Sequence, residues 1–166
     1  MKTLTPTRAG LTALATVTTL AATPGASAAE ASFARLHIPR IGLSQQVYEG
    51  ISSSDLHRGI GHYPGTAYPG AKGNSVFLGH RTSGAAPFRD LDRVRIGDHI
   101  KFTSGSRTHR YRITSRRIIS PSQTEVLEPV PFEPGSAPRE KYVTLITCHP
   151  KGSDAMRLIY IGKAAP

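Results

Sequence analysis

Tyr142-Val143-Thr144-Leu145-Ile146-Thr147-Cys148 and Met156-Arg157-Leu158-Ile159-Tyr160-Ile161 decide the architecture. Both are short runs rich in β-branched and aromatic residues, the composition of strands packed on both sides. Between them, His149 to Ala155 contains Pro150 and Gly152 and turns the chain. If Cys148 stands opposite Arg157 in an antiparallel pair, Ile146 faces Ile159 and Thr144 faces Ile161 on one side. Leu145 then faces Tyr160, and Thr147 faces Leu158, on the other, because strand side chains alternate with period two. Neither side holds a bad mismatch. The pairing sets a guanidinium near a thiol, which favours thiolate and can stabilise an oxyanion.

Upstream, the same all-β pattern continues. Arg35-Leu36-His37-Ile38-Pro39 opens the domain, and Ile41 to Tyr48 is a second extended stretch, with Pro39 and Gly42 marking a bend. Ser52 to Leu56 predicts one capped helical turn. Residues 59–74, dense in Gly and Pro, are expected to be loop. Ser75-Val76-Phe77-Leu78-Gly79-His80 is a short buried strand with a histidine at its rim. Ala86 to Leu91, with Pro87 near its start, predicts a short helix, and Gly97-Asp98 a turn. His99 to Thr103 and Thr108 to Ile119 form a hairpin, with Tyr111 and Ile113 on its buried face and Arg110, Arg112 and Thr114 on its wet face. Arg116 and Arg117 are assigned to a solvated face of the same strand. Residues 120–140 carry five prolines and read as a long ordered loop.

The chain has 166 residues, 38% of them hydrophobic and 19% charged, with 16 Gly and 13 Pro. That is one domain with many turns; a coiled coil needs more charge and fewer breakers, and the discrete apolar runs argue against disorder. At the N-terminus, Lys2 and Arg8 precede a charge-free Thr-diluted stretch from Gly10 to Ala22, then Pro24-Gly25 and Ala26-Ser27-Ala28. This pattern predicts a secretory signal peptide over residues 1–28, the rival reading being an uncleaved membrane anchor. Residues 29–34 are a short linker and 35–166 the folded domain. Removal of Lys2 and Arg8 lowers the formal net charge from +10 to +8. For an exported basic protein, anionic wall polymers or a membrane surface are better partners than nucleic acid.

Cys148 is the only cysteine. An exported chain with one Cys makes no internal disulfide, so the thiol bridges a dimer, lies buried and inert, or is a nucleophile. A nucleophile needs a proton-handling partner. Among seven histidines, His80 is placed at a strand end, whereas His149, next to the cysteine, alternates to the opposite face.

At these residues the sequence resembles the sortases, the thiol transpeptidases of the bacterial surface. Thr144-Leu145-Ile146-Thr147-Cys148 is similar to their TLxTC box. Leu78-Gly79-His80-Arg81-Thr82, followed by Pro87-Phe88-Arg89-Asp90-Leu91 and Gly97-Asp98, is similar to their histidine segment, and Arg157 stands where the family has its arginine. His149-Pro150 after the box is similar to the class E members of high-GC Gram-positive bacteria. Such members commonly carry a Tyr soon after the His-Arg pair; Arg81-Thr82-Ser83-Gly84-Ala85-Ala86 has none.

The resemblance implies a sortase-type eight-stranded β-barrel with short helices and long loops. It implies cleavage of a Leu-Ala-x-Thr-Gly- or Leu-Pro-x-Thr-Gly-like C-terminal sorting signal between Thr and Gly through a thioester. Transfer to an amine of a peptidoglycan precursor follows, with hydrolysis as a side reaction. By position, Cys148 is the nucleophile, His80 the general acid and base, Arg157 the ligand of substrate and oxyanion, and Thr147 a residue of the substrate groove. The partners implied are surface proteins with such signals and the precursor amine, at the extracellular face of the envelope. No cofactor is expected; some sortases use calcium, but grouped carboxylates for a metal are not found here. A pilin-polymerising sortase with a Lys acceptor and a non-catalytic wall-binding β-barrel stay open as alternatives.

Overall fold

The computed structural model describes residues 31–166; the expected leader over residues 1–28 lies outside the described residues. Eight strands make up the fold: β1 (Ala34–Ile38), β2 (Leu43–Glu49), β3 (Ile60–His62), β4 (Gly73–Leu78), β5 (His99–Ser104), β6 (Arg107–Ile119), β7 (Lys141–His149) and β8 (Met156–Ala164). Their order in space is β1-β2-β3-β4-β7-β8-β6-β5, and β5 pairs back to β1. Among the described residues, closure leaves the sheet without an end strand. β2–β3 and β4–β7 are parallel and the remaining pairs antiparallel. Ala34, expected in the linker, already opens β1.

The barrel is filled by the alternate residues of each strand, among them Leu36, Ile38, Phe77, Phe102, Tyr111, Leu145, Leu158 and Tyr160. Two buried tyrosines keep their hydroxyls satisfied: Gly70 N–H donates to Tyr111 (2.8 Å), and Tyr160 donates to the Val94 carbonyl (2.9 Å). Burial pushes both phenols above their ordinary range.

Three local expectations change. The stretch 59–74 is not all loop, because β3 lies within it and β4 begins at Gly73. Gly61 explains why β3 is hard to see: a Cβ there would come within 2.3 Å of the Gly50 carbonyl, so the strand needs a residue of low strand propensity. The expected helix over 86–91 is a series of i to i+3 turns ending in a 3-10 turn at Leu91–Arg93, with Phe88 and Leu91 fully buried. The helix at Ser52 is longer than one turn, spanning α1 (Ser53–Arg58) with a Ser52/Asp55 capping box.

The long strand β6 needs a further correction. Its register against β8 shifts between Ile113 and Ser115. Before this bulge Tyr111 and Ile113 enter the barrel while Arg110 and Arg112 face outward. After it the faces exchange, and Ile119 joins an outer apolar cluster. Arg116 and Arg117 therefore do not share one solvated face: Arg116 Nε donates to the Tyr160 hydroxyl (3.1 Å), and Arg117 lies over the Phe132 ring (4.3 Å).

Candidate active site

The outer cluster lies on the β4–β7–β8 surface and contains Val76, Ile119, Val126, Ile146, Ile159 and Ile161. Its floor is the pairing expected from sequence: Ile146 opposite Ile159, Thr144 opposite Ile161 and Cys148 opposite Arg157. Ile119, Pro121 and Val126 wall a groove of about 190 Å³ over that floor, with Tyr63 and Leu78 across from them and Arg157 also lining it. One buried polar cluster ties the 120–140 loop down. Asn74 Nδ2 donates to the carbonyls of Val126 (2.9 Å) and Glu128 (3.1 Å), and Thr144 donates to Asn74 Oδ1 (2.7 Å).

Cys148 is partly exposed near the end of β7. On one side of it runs β8 with Arg157, whose guanidinium donates to the carbonyls of Asp154 (2.7 Å) and Met156 (3.0 Å). On the other side runs β4. Val76 pairs with Thr144 and Leu78 with Ile146, and the ladder continues as Gly79 N–H donates to the Ile146 carbonyl (3.2 Å). Two residues beyond the last registered pair on each strand are His80 and Cys148. They fall on the same face of adjacent strands by parity. Gly79 is needed at this crossing, since a Cβ would meet the Phe88 ring at 2.7 Å. The carbonyl of His80 in turn accepts from Phe88 N–H (3.1 Å).

Thr147, expected to line the substrate groove, alternates with Cys148 along β7. It points away from Cys148, is only 3% exposed, and donates to the Gly79 carbonyl at 2.8 Å. Like Cys148 and His80, it lies beside the groove rather than in its lining; its hydrogen bond ties together the strands that carry His80 and Cys148. The physical reason is the same period-two alternation that brings Cys148 out.

Arg81 is the residue that sequence reasoning did not single out. Its side chain is 3% exposed, and Nη2 pairs with Asp92 Oδ1 at 3.0 Å. Nη1 reaches the Cys148 carbonyl (3.4 Å) and His149 Nδ1 (3.3 Å), while Nε is buried without a partner. A guanidinium only donates, so His149 Nδ1 accepts and its ring proton sits on Nε2. Partial burial works to raise the Asp92 carboxyl, yet the hydrogen bond and charge of Arg81 hold it below its ordinary range. The available signal was the His-Arg dipeptide, in which alternation sends the Arg inward when the His faces out.

Among the described residues, no group of three His, Cys, Asp or Glu side chains gathers to hold a metal, and no helix is long and apolar enough to cross a membrane. The described residues thus form a closed eight-stranded barrel, with a partly exposed thiol on β7 between β8, which carries Arg157, and the continuation of β4, which carries His80. Residues 36–165 match the sortase domain model, and the chain belongs to the sortase family. It is 38% identical over 148 residues to sortase SrtE1 of Streptomyces coelicolor, covering 84% of this chain and 42% of that protein. It is 29% identical to sortase D of Bacillus subtilis, covering 77% of this chain and 61% of that protein. The chain thus spans about two- to three-fifths of the length of these curated relatives. The structure of sortase E from Streptomyces avermitilis superposes with a TM-score of 0.73 at 36% identity, over 81% of this chain and 88% of that one. SrtA sortase from Actinomyces oris superposes with a TM-score of 0.77 at 30% identity, over 81% and 80%. The class E resemblance read from His149-Pro150 agrees with sortase SrtE1 and sortase E among these relatives.

Proposed function

We propose that this chain is a cysteine transpeptidase that cuts a Leu-Ala-x-Thr-Gly- or Leu-Pro-x-Thr-Gly-like sorting signal between Thr and Gly and passes the acyl chain to an amine of a peptidoglycan precursor. One arrangement carries the reading: Cys148 lies on β7 between the continuation of β4, with His80, and β8, with Arg157, beside an apolar groove. The Cys148 thiolate attacks the Thr carbonyl carbon. The C–N bond to Gly breaks as His80 gives a proton to the departing amine, leaving a thioester. The acceptor amine then attacks the thioester carbon, loses its proton to His80, and expels the thiolate. Arg157 stays charged throughout and stabilises the oxyanion of both tetrahedral intermediates. Thr147 and Arg81 act as positioning residues, the first on the β4–β7 spacing and the second on the end of β7. The groove's isoleucines suit the apolar first residue of the signal. The site of action in this reading is the outer face of the cell envelope.

The test is mass spectrometry of the full chain with signal peptides of both kinds and a glycine amine. The expected products are a Thr-terminated acyl chain joined to the amine and an acyl adduct on Cys148. Cleavage at another bond, or turnover kept in Cys148→Ala, overturns the proposal. Offering a Lys side-chain amine in the same assay separates a pilin-type acceptor. Arg157→Lys is expected to be poorly active, because an ammonium lacks the planar fork of donors. Direct competition is expected to favour the Ala signal, with a margin narrowed by the missing Tyr after Arg81. One lost hydrogen-bonding contact is worth about 1 kcal/mol, or several-fold in kcat/KM.

A further inference from the structure

The outer surface of β1, β5, β6 and the end of β8 carries a different chemistry from the groove. Cross-strand register lines up His37, Lys101 and Arg110 in one row, and His99, Arg112 and Lys163 in the next. Their alternate neighbours Leu36, Ile38, Ile100, Phe102, Tyr111 and Ile113 fill the barrel, so these six side chains point outward. Lys163 is met by Glu140 at 3.1 Å. Among the described residues, Lys101, Arg110 and Arg112 have no carboxylate within ion-pair distance. Like charges directly opposite one another destabilise a sheet. An anionic surface laid on them removes that repulsion.

The rim of this face discriminates between anionic partners. Ile96 is 66% exposed, the most exposed of the large apolar side chains among the described residues. It precedes Gly97, whose N–H donates to the Ile113 carbonyl (2.8 Å) and where an added Cβ would lie 3.8 Å from Arg112 Nη2. Arg95 flanks it, also exposed. The nearby Asp98 does not cancel the charge, because Arg40 already engages it at 2.8 Å. An apolar tip set among cations matches a surface with phosphate outside and hydrocarbon beneath. A soluble polyanion offers Ile96 nothing.

We propose that this face docks on an anionic phospholipid bilayer, with Lys101, Arg110 and Arg112 on headgroup phosphates and Ile96 entering the acyl boundary. The surface is independent of the Cys148 site. The experiment is co-sedimentation of the full chain with phosphatidylcholine vesicles, with and without phosphatidylglycerol, at 0.15 M salt. A soluble glycerol-phosphate polymer serves as competitor. K101E/R110E should weaken binding to the anionic vesicles by at least about 25-fold, at about fivefold per cation. I96S should weaken it several-fold without changing polymer binding. R89E/R139E, which alters net charge equally elsewhere, should have little effect. Thermal melting shows that each variant is folded. Unchanged binding in K101E/R110E, an equal loss in R89E/R139E, equal binding to neutral vesicles, or polymer displacement with I96S indifferent would each overturn the proposal.

Discussion

The two faces of the β7–β8 pair are made from the same two runs of residues and do opposite work. Inward, Val143, Leu145, Leu158 and Tyr160 sit in the closed barrel core. Outward, Ile146 and Ile159 are roofed by the 120–140 loop, with Cys148 and Arg157 at the end of the strip. Residues of nearly equal hydrophobicity thus belong to different systems. The inner set holds the fold, whereas the outer set floors a groove whose roof is a loop hung from Asn74. Burial alone does not separate the two; the partner across the gap does.

The largest expected effect tests this division at the thiol. Cys148→Ala should reduce turnover by about 10⁶-fold, as for other lost nucleophiles, while its melting temperature stays close to that of the parent. Product formation followed by mass spectrometry, together with calorimetry, checks both halves. A large fall in stability would show that the outward thiol belongs to the core after all. Three residues back on the same strand, Leu145→Ala should cost about 2–5 kcal/mol in unfolding free energy from the cavity it leaves. Ile146→Ala should instead raise KM with a smaller loss of stability. Denaturant titration beside steady-state kinetics distinguishes them, and equal stability losses would place both residues in one core.

Arg81 sharpens the comparison because it is a buried residue bonded to the end of β7, the strand that carries Cys148. Arg81→Gln should lower kcat about tenfold, the worth of one charge-assisted hydrogen bond, with a smaller change in KM. It should also release the tautomer of His149, read as a mixture in the ring ¹⁵N spectrum where the parent shows only Nε2–H. Loss of stability with kcat and tautomer intact would make Arg81 merely structural. The smallest effect is acid sensitivity. Asp92 is held below its ordinary range by Arg81 against partial burial, and Asp98 by its hydrogen bond to Arg40. A depressed carboxyl contributes stability that is full above the unfolded value, about 3.9. That contribution is lost as pH falls through the lower folded value. Unfolding titrations should therefore decline below about pH 4, and Asp92→Asn should flatten part of that decline. An unchanged slope in the variant would remove Asp92 from the account.

Local pattern pointed to the strand pair and to a register. Cys148 set opposite Arg157 matches both faces by period-two alternation over Thr144 to Cys148 and Arg157 to Ile161, and the observed register is that pairing. The lone cysteine and the family resemblance likewise lay in the residues themselves. What alternation cannot report is where it breaks or what stands across from it. The β6 bulge reverses the faces within one strand because a single extra residue is absorbed there. β3 was hidden because its glycine is chosen for a close backbone approach rather than for strand propensity. Thr147 and Arg81 were decided by contacts to Gly79 and to Cys148 and His149, far away in sequence. The cationic rows exist only once barrel closure sets β1 beside β5 and β8 beside β6, because charges scattered along a chain become a surface only through non-local pairing.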